Sequence, residues 1–100
     1  MSAARTTRQV SFECVWKSRE CTLWVNLDRG FVLTTQEDRD LWEHSFSELS
    51  ASNDDGAKLL WLQFRGKPQE DEFVLKVNPK VVVFTIHNFL SCLLSAGRPV

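Results

Sequence analysis

The sequence predicts a mainly β fold finished by one C-terminal α-helix: a bent antiparallel sheet or barrel with the helix as its cap. Three observations carry this. The residues before Asn78 break into short apolar runs with a period of two, separated by turn residues. From Asn78 to Gly97 the apolar residues switch to a spacing of three and four. Both ends of that last segment are marked, by Asn78-Pro79 at the start and Gly97 at the finish.

Each element follows in chain order. Residues 1–9 are small, polar and basic with no periodicity, and read as a flexible N-terminal arm. Val10, Phe12, Cys14 and Trp16 then alternate with polar neighbours and give the first strand. Lys17 to Glu20 is a polar hairpin turn, and Cys21, Leu23, Val25 and Leu27 are the next inward set. Asp28-Arg29-Gly30 is a tight turn, with glycine where positive φ is needed. Phe31 to Thr34 is a short strand, Gln36 to Asp40 a charged loop, and Leu41 to Phe46 a further strand. Phe46 to Leu49 fits either a strand extension or a turn of helix, and Ser50 to Gly56 reads as a loop of Ser, Asn, Asp and Gly. Lys58 to Phe64 is apolar on both faces, as for a strand covered on both sides. Glu72 to Val77 is the last strand, with Phe73, Leu75 and Val77 on one side.

About six strands result, and their short connections predict a meander of antiparallel neighbours. On the helix, Val82, Ile86, Phe89, Leu90 and Leu93 share one face, widened by Val83 and Leu94. That face can plug the end of a strongly bent sheet. The outline is pleckstrin-homology-like or phosphotyrosine-binding-like, a single domain over residues 10–97.

Composition narrows the function classes. The chain is 43% hydrophobic and 25% charged with a net charge of −1, so no global field draws it to nucleic acid or anionic lipid. Four Trp and seven Phe with no Tyr point to packing and interface work. Cys14, Cys21 and Cys92 fit no metal spacing and read as buried reduced thiols, with a Cys14–Cys21 bridge across a hairpin left open. No apolar run approaches the roughly 20 residues that cross a bilayer.

The motifs from Phe46 onward carry a resemblance. Phe46 and Leu49 precede Ser52-Asn53-Asp54-Asp55-Gly56-Ala57, then Leu59-Leu60-Trp61-Leu62-Gln63-Phe64, then Pro79-Lys80 leading to Val83-Phe84, Ile86-His87 and Phe89-Leu90-Ser91. The earlier hairpin adds Cys14-x-Trp16, Cys21-x-Leu23-x-Val25 and Asp28-x-Gly30-Phe31. This pattern resembles the C-terminal end of the syntrophins over roughly residues 12–94. The resemblance implies a pleckstrin-homology-like fold and a cytoplasmic adaptor, peripheral at the membrane cytoskeleton, whose partners include dystrophin-family proteins. It departs after Ser91, where Cys92-Leu93-Leu94 stand in place of the family's Ala-Lys-Val.

Chemistry-bearing constellations are sparse. His44 and His87 lack a nucleophile or acid at a useful spacing, and His87, near the edge of the helix's apolar face, reads as a structural ring bonded to a loop. Asp54-Asp55-Gly56 lacks the further carboxylates of a calcium loop and reads as a turn. Gly30, Gly56 and Gly66 are separate turn residues and make no phosphate-cradling loop. No catalytic residue, metal, cofactor or small-molecule substrate is expected.

A protein partner is the expected ligand. Trp24 and Trp61 alternate out of phase with their inward neighbours, Trp61 provided the even-numbered positions of its strand face the core; either loops or the N-terminal arm cover them, or both face outward as candidate partner-binding residues. Val74 joins them on the strand before the helix, where a peptide could add a strand in a phosphotyrosine-binding-like groove. The alternative is weak binding of phosphoinositide by Lys17, Arg19 and Arg29, with Glu20 partly neutralising the first hairpin.

Overall fold

The structure is a computed structural model that describes residues 8–97. Seven strands form one antiparallel sheet: β1 (Gln9–Trp16), β2 (Arg19–Asn26), β3 (Gly30–Thr35), β4 (Asp40–His44), β5 (Leu49–Asp54), β6 (Leu59–Phe64) and β7 (Asp71–Leu75). One helix, α1 (Pro79–Ser95), follows. Of the expected N-terminal arm, residues 1–7 lie outside the described residues, while Arg8 already accepts a backbone bond from Leu27 (2.8 Å) and Gln9 opens β1.

Local chemistry sets the first hairpin. Lys17 and Ser18 both take positive φ (49° and 63°), the geometry whose twist matches the flanking strands. The turn is therefore two residues, and Arg19 and Glu20, expected in the turn, belong to β2. At the next turn the Asn26 side chain accepts the N–H groups of Asp28 and Arg29, each at 2.8 Å. Gly30 follows at φ +92°, and a Cβ there would sit 2.4 Å from the His44 carbonyl oxygen. Both the dihedral and the close approach of β4 require glycine.

Strand order is β4-β3-β2-β1-β7-β6-β5. Consecutive strands pair as expected, with one exception. β4 and β5 do not pair; they are the two edges, and β1 joins β7 instead through Cys14 opposite Leu75 and Val15 opposite Val74. Two meanders are thus stitched into one curled sheet.

The ambiguous Phe46–Leu49 segment resolves as a 3-10 turn over Phe46–Glu48. The following polar residues form β5 rather than the expected loop, so the strands number seven and not six. Leu-Ser-Ala-Ser-Asn-Asp has no alternation and poor β propensity; its pairing with β6 decides its state. β6 also departs from expectation. Leu60, Leu62 and Phe64 are fully buried, but Leu59, Trp61 and Gln63 on the other side stay half-exposed. The last strand stops at Leu75, leaving Val77 exposed.

The helix forms as its caps predict. Asn78 accepts the Lys80 N–H (2.9 Å), Pro79 takes the first position, and Gly97 turns left-handed at φ +73°. Val82, Ile86, Phe89 and Leu93 are buried against Phe46 and the inner face of the sheet. Leu94 does not widen that stripe: it is 66% exposed. Inside, Phe31 meets Phe46 and Phe64 edge to face at 5.0 and 5.5 Å. Cys14 and Cys21 face one another across β1 and β2, buried as free thiols. Cys92, expected to be buried, is exposed.

Candidate functional site

The outward face of the sheet carries the aromatic surface. On β2 the inward residues are Cys21, Leu23 and Val25, so Trp24 lies across the outer face, half-buried. Its indole N–H donates to Thr34 Oγ1 on β3 (2.9 Å), which fixes the ring over Val32 of the neighbouring strand. A shallow open cavity of about 310 Å³ beside it is lined by Gln9, Arg29, Asp38 and Asp40 among others. On β6 the alternation is the same, with Leu60, Leu62 and Phe64 inward, and Trp61 N–H donates to Glu72 on β7 (2.9 Å). Both indoles are held in place by a neighbouring strand, so little side-chain freedom remains for a partner to remove.

Val74 is half-buried on that outer face, paired with Val15 on one side and Leu59 on the other. Because β7 has neighbours on both sides, no strand can add to it. The groove expected between the helix and β7 therefore does not exist; the free edges are β4 and β5.

The three cations proposed for lipid are not brought together. Lys17 and Arg19 sit at the tip of the first hairpin, where Lys17 Nζ lies 4.8 Å from the Trp16 ring centroid. Arg29 sits at the opposite end of β2, roughly 25 Å away for an eight-residue strand. There it forks onto Glu43 (2.6 and 3.2 Å) and reaches Asp40 at 3.5 Å. The bond to Glu43 raises the Arg29 pKa and holds Glu43 below the usual carboxylate range. A cation so committed has little left for a phosphate.

The remaining titratable groups serve the fold. His44 stacks on Phe64 at 4.2 Å and shares a 3.0 Å bond with Glu48, which lowers the Glu48 pKa. His87 is exposed on α1, not bonded under a loop as expected from its place beside the apolar face. Asp55 Oδ1 takes the N–H groups of Ala57, Lys58 and Leu59, each at 2.9 Å, the first of these causes being Leu59 in depressing its pKa. Those bonds tie the acidic loop into the turn that joins β5 to β6. Among the described residues no three His, Cys, Asp or Glu converge as a metal set. No helix among them is long and apolar enough to cross a membrane.

Sequence reasoning missed two features. At the mouth of the sheet the buried Asp71 accepts from Trp16 Nε1 (3.1 Å) and Lys67 Nζ (2.8 Å). These residues are far apart in sequence and only the fold unites them. On α1 Phe84 is 68% exposed and Val81 50%. Their spacing relative to Ile86 and Phe89 already places them on the far side of the helix.

A curled antiparallel sheet stoppered at one end by a C-terminal helix is a pleckstrin-homology-like domain. The family model of the syntrophin C-terminal PH domain matches residues 5–96. The chain belongs to that family. Among its relatives, Syntrophin-1 of Caenorhabditis elegans is 42% identical over 89 residues, covering 89% of this chain and 20% of that protein. Beta-2-syntrophin is 32% identical in Homo sapiens and 33% in Mus musculus, each over 93 residues and 90% of this chain. The chain spans only 17% and 18% of those two proteins. No solved structure matches it significantly.

Proposed function

We propose that the chain is a non-catalytic interaction module, a single domain over residues 10–97 acting as an adaptor or scaffold. Its partner is a cytoskeletal or signalling protein of the dystrophin-family kind, met in the cytoplasm at the membrane cytoskeleton. Membership of the syntrophin family supports the adaptor role. The observation that carries the reading is the outer sheet face, where Trp24 and Trp61 are pre-set by bonds to Thr34 and Glu72 with Val74 between the same strands. Half-exposed rigid aromatics of this kind are where binding energy concentrates.

The test is capture of dystrophin-family fragments by the purified chain. Trp61→Ala is expected to weaken capture about tenfold or more while leaving the melting temperature close to that of the parent. Unchanged capture sinks the assignment of this face.

Weak anionic-lipid binding is the second reading. It is favoured by Lys17 and Arg19 at one hairpin tip, neither in an ion pair among the described residues. Binding to phosphoinositide vesicles should then fall with salt and vanish in the Lys17→Glu, Arg19→Glu double variant. Vesicle binding indifferent to that reversal removes it.

A further inference from the structure

The outward face of the sheet is acidic as well as aromatic. The alternation that buries Phe12 and Cys14, Leu23 and Val25, and Phe73 and Leu75 leaves Glu13, Glu20 and Glu72 at outward positions of β1, β2 and β7. On β4, Glu43 stands opposite Val32 and Asp40 opposite Thr34, and Val32 in turn stands opposite Trp24. Both carboxylates therefore belong to the same side. No Lys or Arg takes an outward position on β1, β2, β4, β6 or β7. The whole chain carries a net charge of only −1, so this is a local anionic patch rather than part of a general field.

The cations that reach the patch from its rim are already engaged. Arg29 forks onto Glu43 and touches Asp40, and Lys76 reaches Glu20 at 3.4 Å. Among the described residues Glu13, Asp38 and Glu72 make no ion pair.

Around Trp24 these features converge. Trp24, Val32 and Thr34 line the open cavity together with the exposed Asp38 and Asp40. The indole N–H is tied to Thr34, so what Trp24 offers a ligand is its ring. An indole ring attracts a cation, and carboxylates beside it attract the same cation. Trp61 repeats the pairing on β6, with the carboxylate of Glu72 at its N–H. The cavity is shallow, which suits one side chain of a larger surface better than a free small molecule. A guanidinium suits it better than an ammonium: it is planar enough to stack on the indole and forked enough to hold a carboxylate at the same time.

We infer, resting on the aromatic face as the binding surface proposed above, that the partner protein meets it with a basic segment. One arginine stacks on Trp24 and pairs with Asp38 and Asp40, and a further basic residue is carried toward Glu72 and Trp61. The rings supply the contact area and the carboxylates the selection. The same carboxylates repel an anionic lipid surface from this side.

The test titrates the full chain, 15N-labelled, with the capped peptide Gly-Arg-Ser-Arg-Gly-Arg-Ser and with its Arg→Gln counterpart, in about 50 mM salt. Saturable shifts are expected at the Trp24 indole N–H and at the Asp38 and Asp40 amides, with the arginine peptide only. The Asp38→Asn, Asp40→Asn double variant should weaken that peptide about fivefold or more, and salt raised to about 0.5 M should do the same. Asparagine tolerates the positive φ of position 38 (63°) as aspartate does, so the melting temperature should hold. Should the double variant melt early, Asp38→Asn alone decides. The proposal is overturned by equal shifts with the glutamine peptide, by shifts confined to other surfaces, by no saturation, or by undiminished affinity in the asparagine variants. Capture of dystrophin-family fragments separates the two readings. Loss in Trp61→Ala with full retention in the asparagine double variant keeps the aromatic face and removes the basic partner, whereas retention in Trp61→Ala removes the face itself.

Discussion

Gly30 shows how one missing side chain fixes a strand. Its φ of +92° and the His44 carbonyl 2.4 Å from any added Cβ act together. Gly56 has a positive φ but open space around it. Gly30→Ala should cost more than the roughly 1–2 kcal/mol of left-handed strain alone, and Gly56→Ala about that strain only. Urea unfolding of the two variants side by side checks the ranking. Burial sets the thiol chemistry in a similar way. Desolvation, with Cys21 adding to it, pushes Cys14 up from 9.0 to about 12, and burial raises Cys21 as well. A thiol reagent at pH 8 should label the exposed Cys92 in the native chain and reach the other two only on unfolding. The sign of the pH effect follows. Between pH 9 and 12 the unfolded thiol ionises while the folded one keeps its proton, so stability falls as pH rises through that window. Acid and base unfolding monitored on a Cys14→Ala, Cys21→Ala background should lose that alkaline slope.

Among the elements, α1 divides its residues most sharply. Ile86→Ala or Phe89→Ala opens the seat of the helix in the sheet and should cost about 2–5 kcal/mol. Phe84→Ala and Leu94→Ala, both on exposed residues, should fall within about 0.5 kcal/mol of the parent. Denaturant midpoints of the four variants test the division. This helix is legible in the sequence because its caps and its apolar spacing are local. The first hairpin and the inward parity of β2 and β6 are legible for the same reason. β5 is not: Ser50 to Asp54 carries no periodic signal, and only pairing with β6 makes it a strand. Nor is the distance between Lys17 and Arg29, since a strand's ends look close in sequence and lie far apart in space. The Asp71, Lys67 and Trp16 cluster is equally hidden, being assembled from segments that only the curl of the sheet brings near.

At the scale of the whole molecule, the β1–β7 junction makes two meanders one body. β1 is bonded on both sides, to β2 and to β7. Val15→Pro would delete a ladder bond in the middle of the sheet and should cost about 3 kcal/mol or more. Ser52→Pro, the same replacement on the β5 edge, should leave the fold in place. Thermal melts followed by circular dichroism separate the two, and the parent should melt in one step at both far- and near-ultraviolet wavelengths. With 17 helical residues in a chain of 100, the far-ultraviolet spectrum should be that of a sheet protein.

The four indoles also divide by side. Trp16 and Trp42 meet edge to face at 6.5 Å at the inward end of the sheet, while Trp24 and Trp61 lie on its outside. Intrinsic emission is therefore a two-channel gauge. Docking of a partner on the outer face would alter the emission of Trp24 and Trp61, and loosening of the interior that of Trp16 and Trp42, so single Trp→Phe variants let the native chain report which of the two has happened without any attached dye.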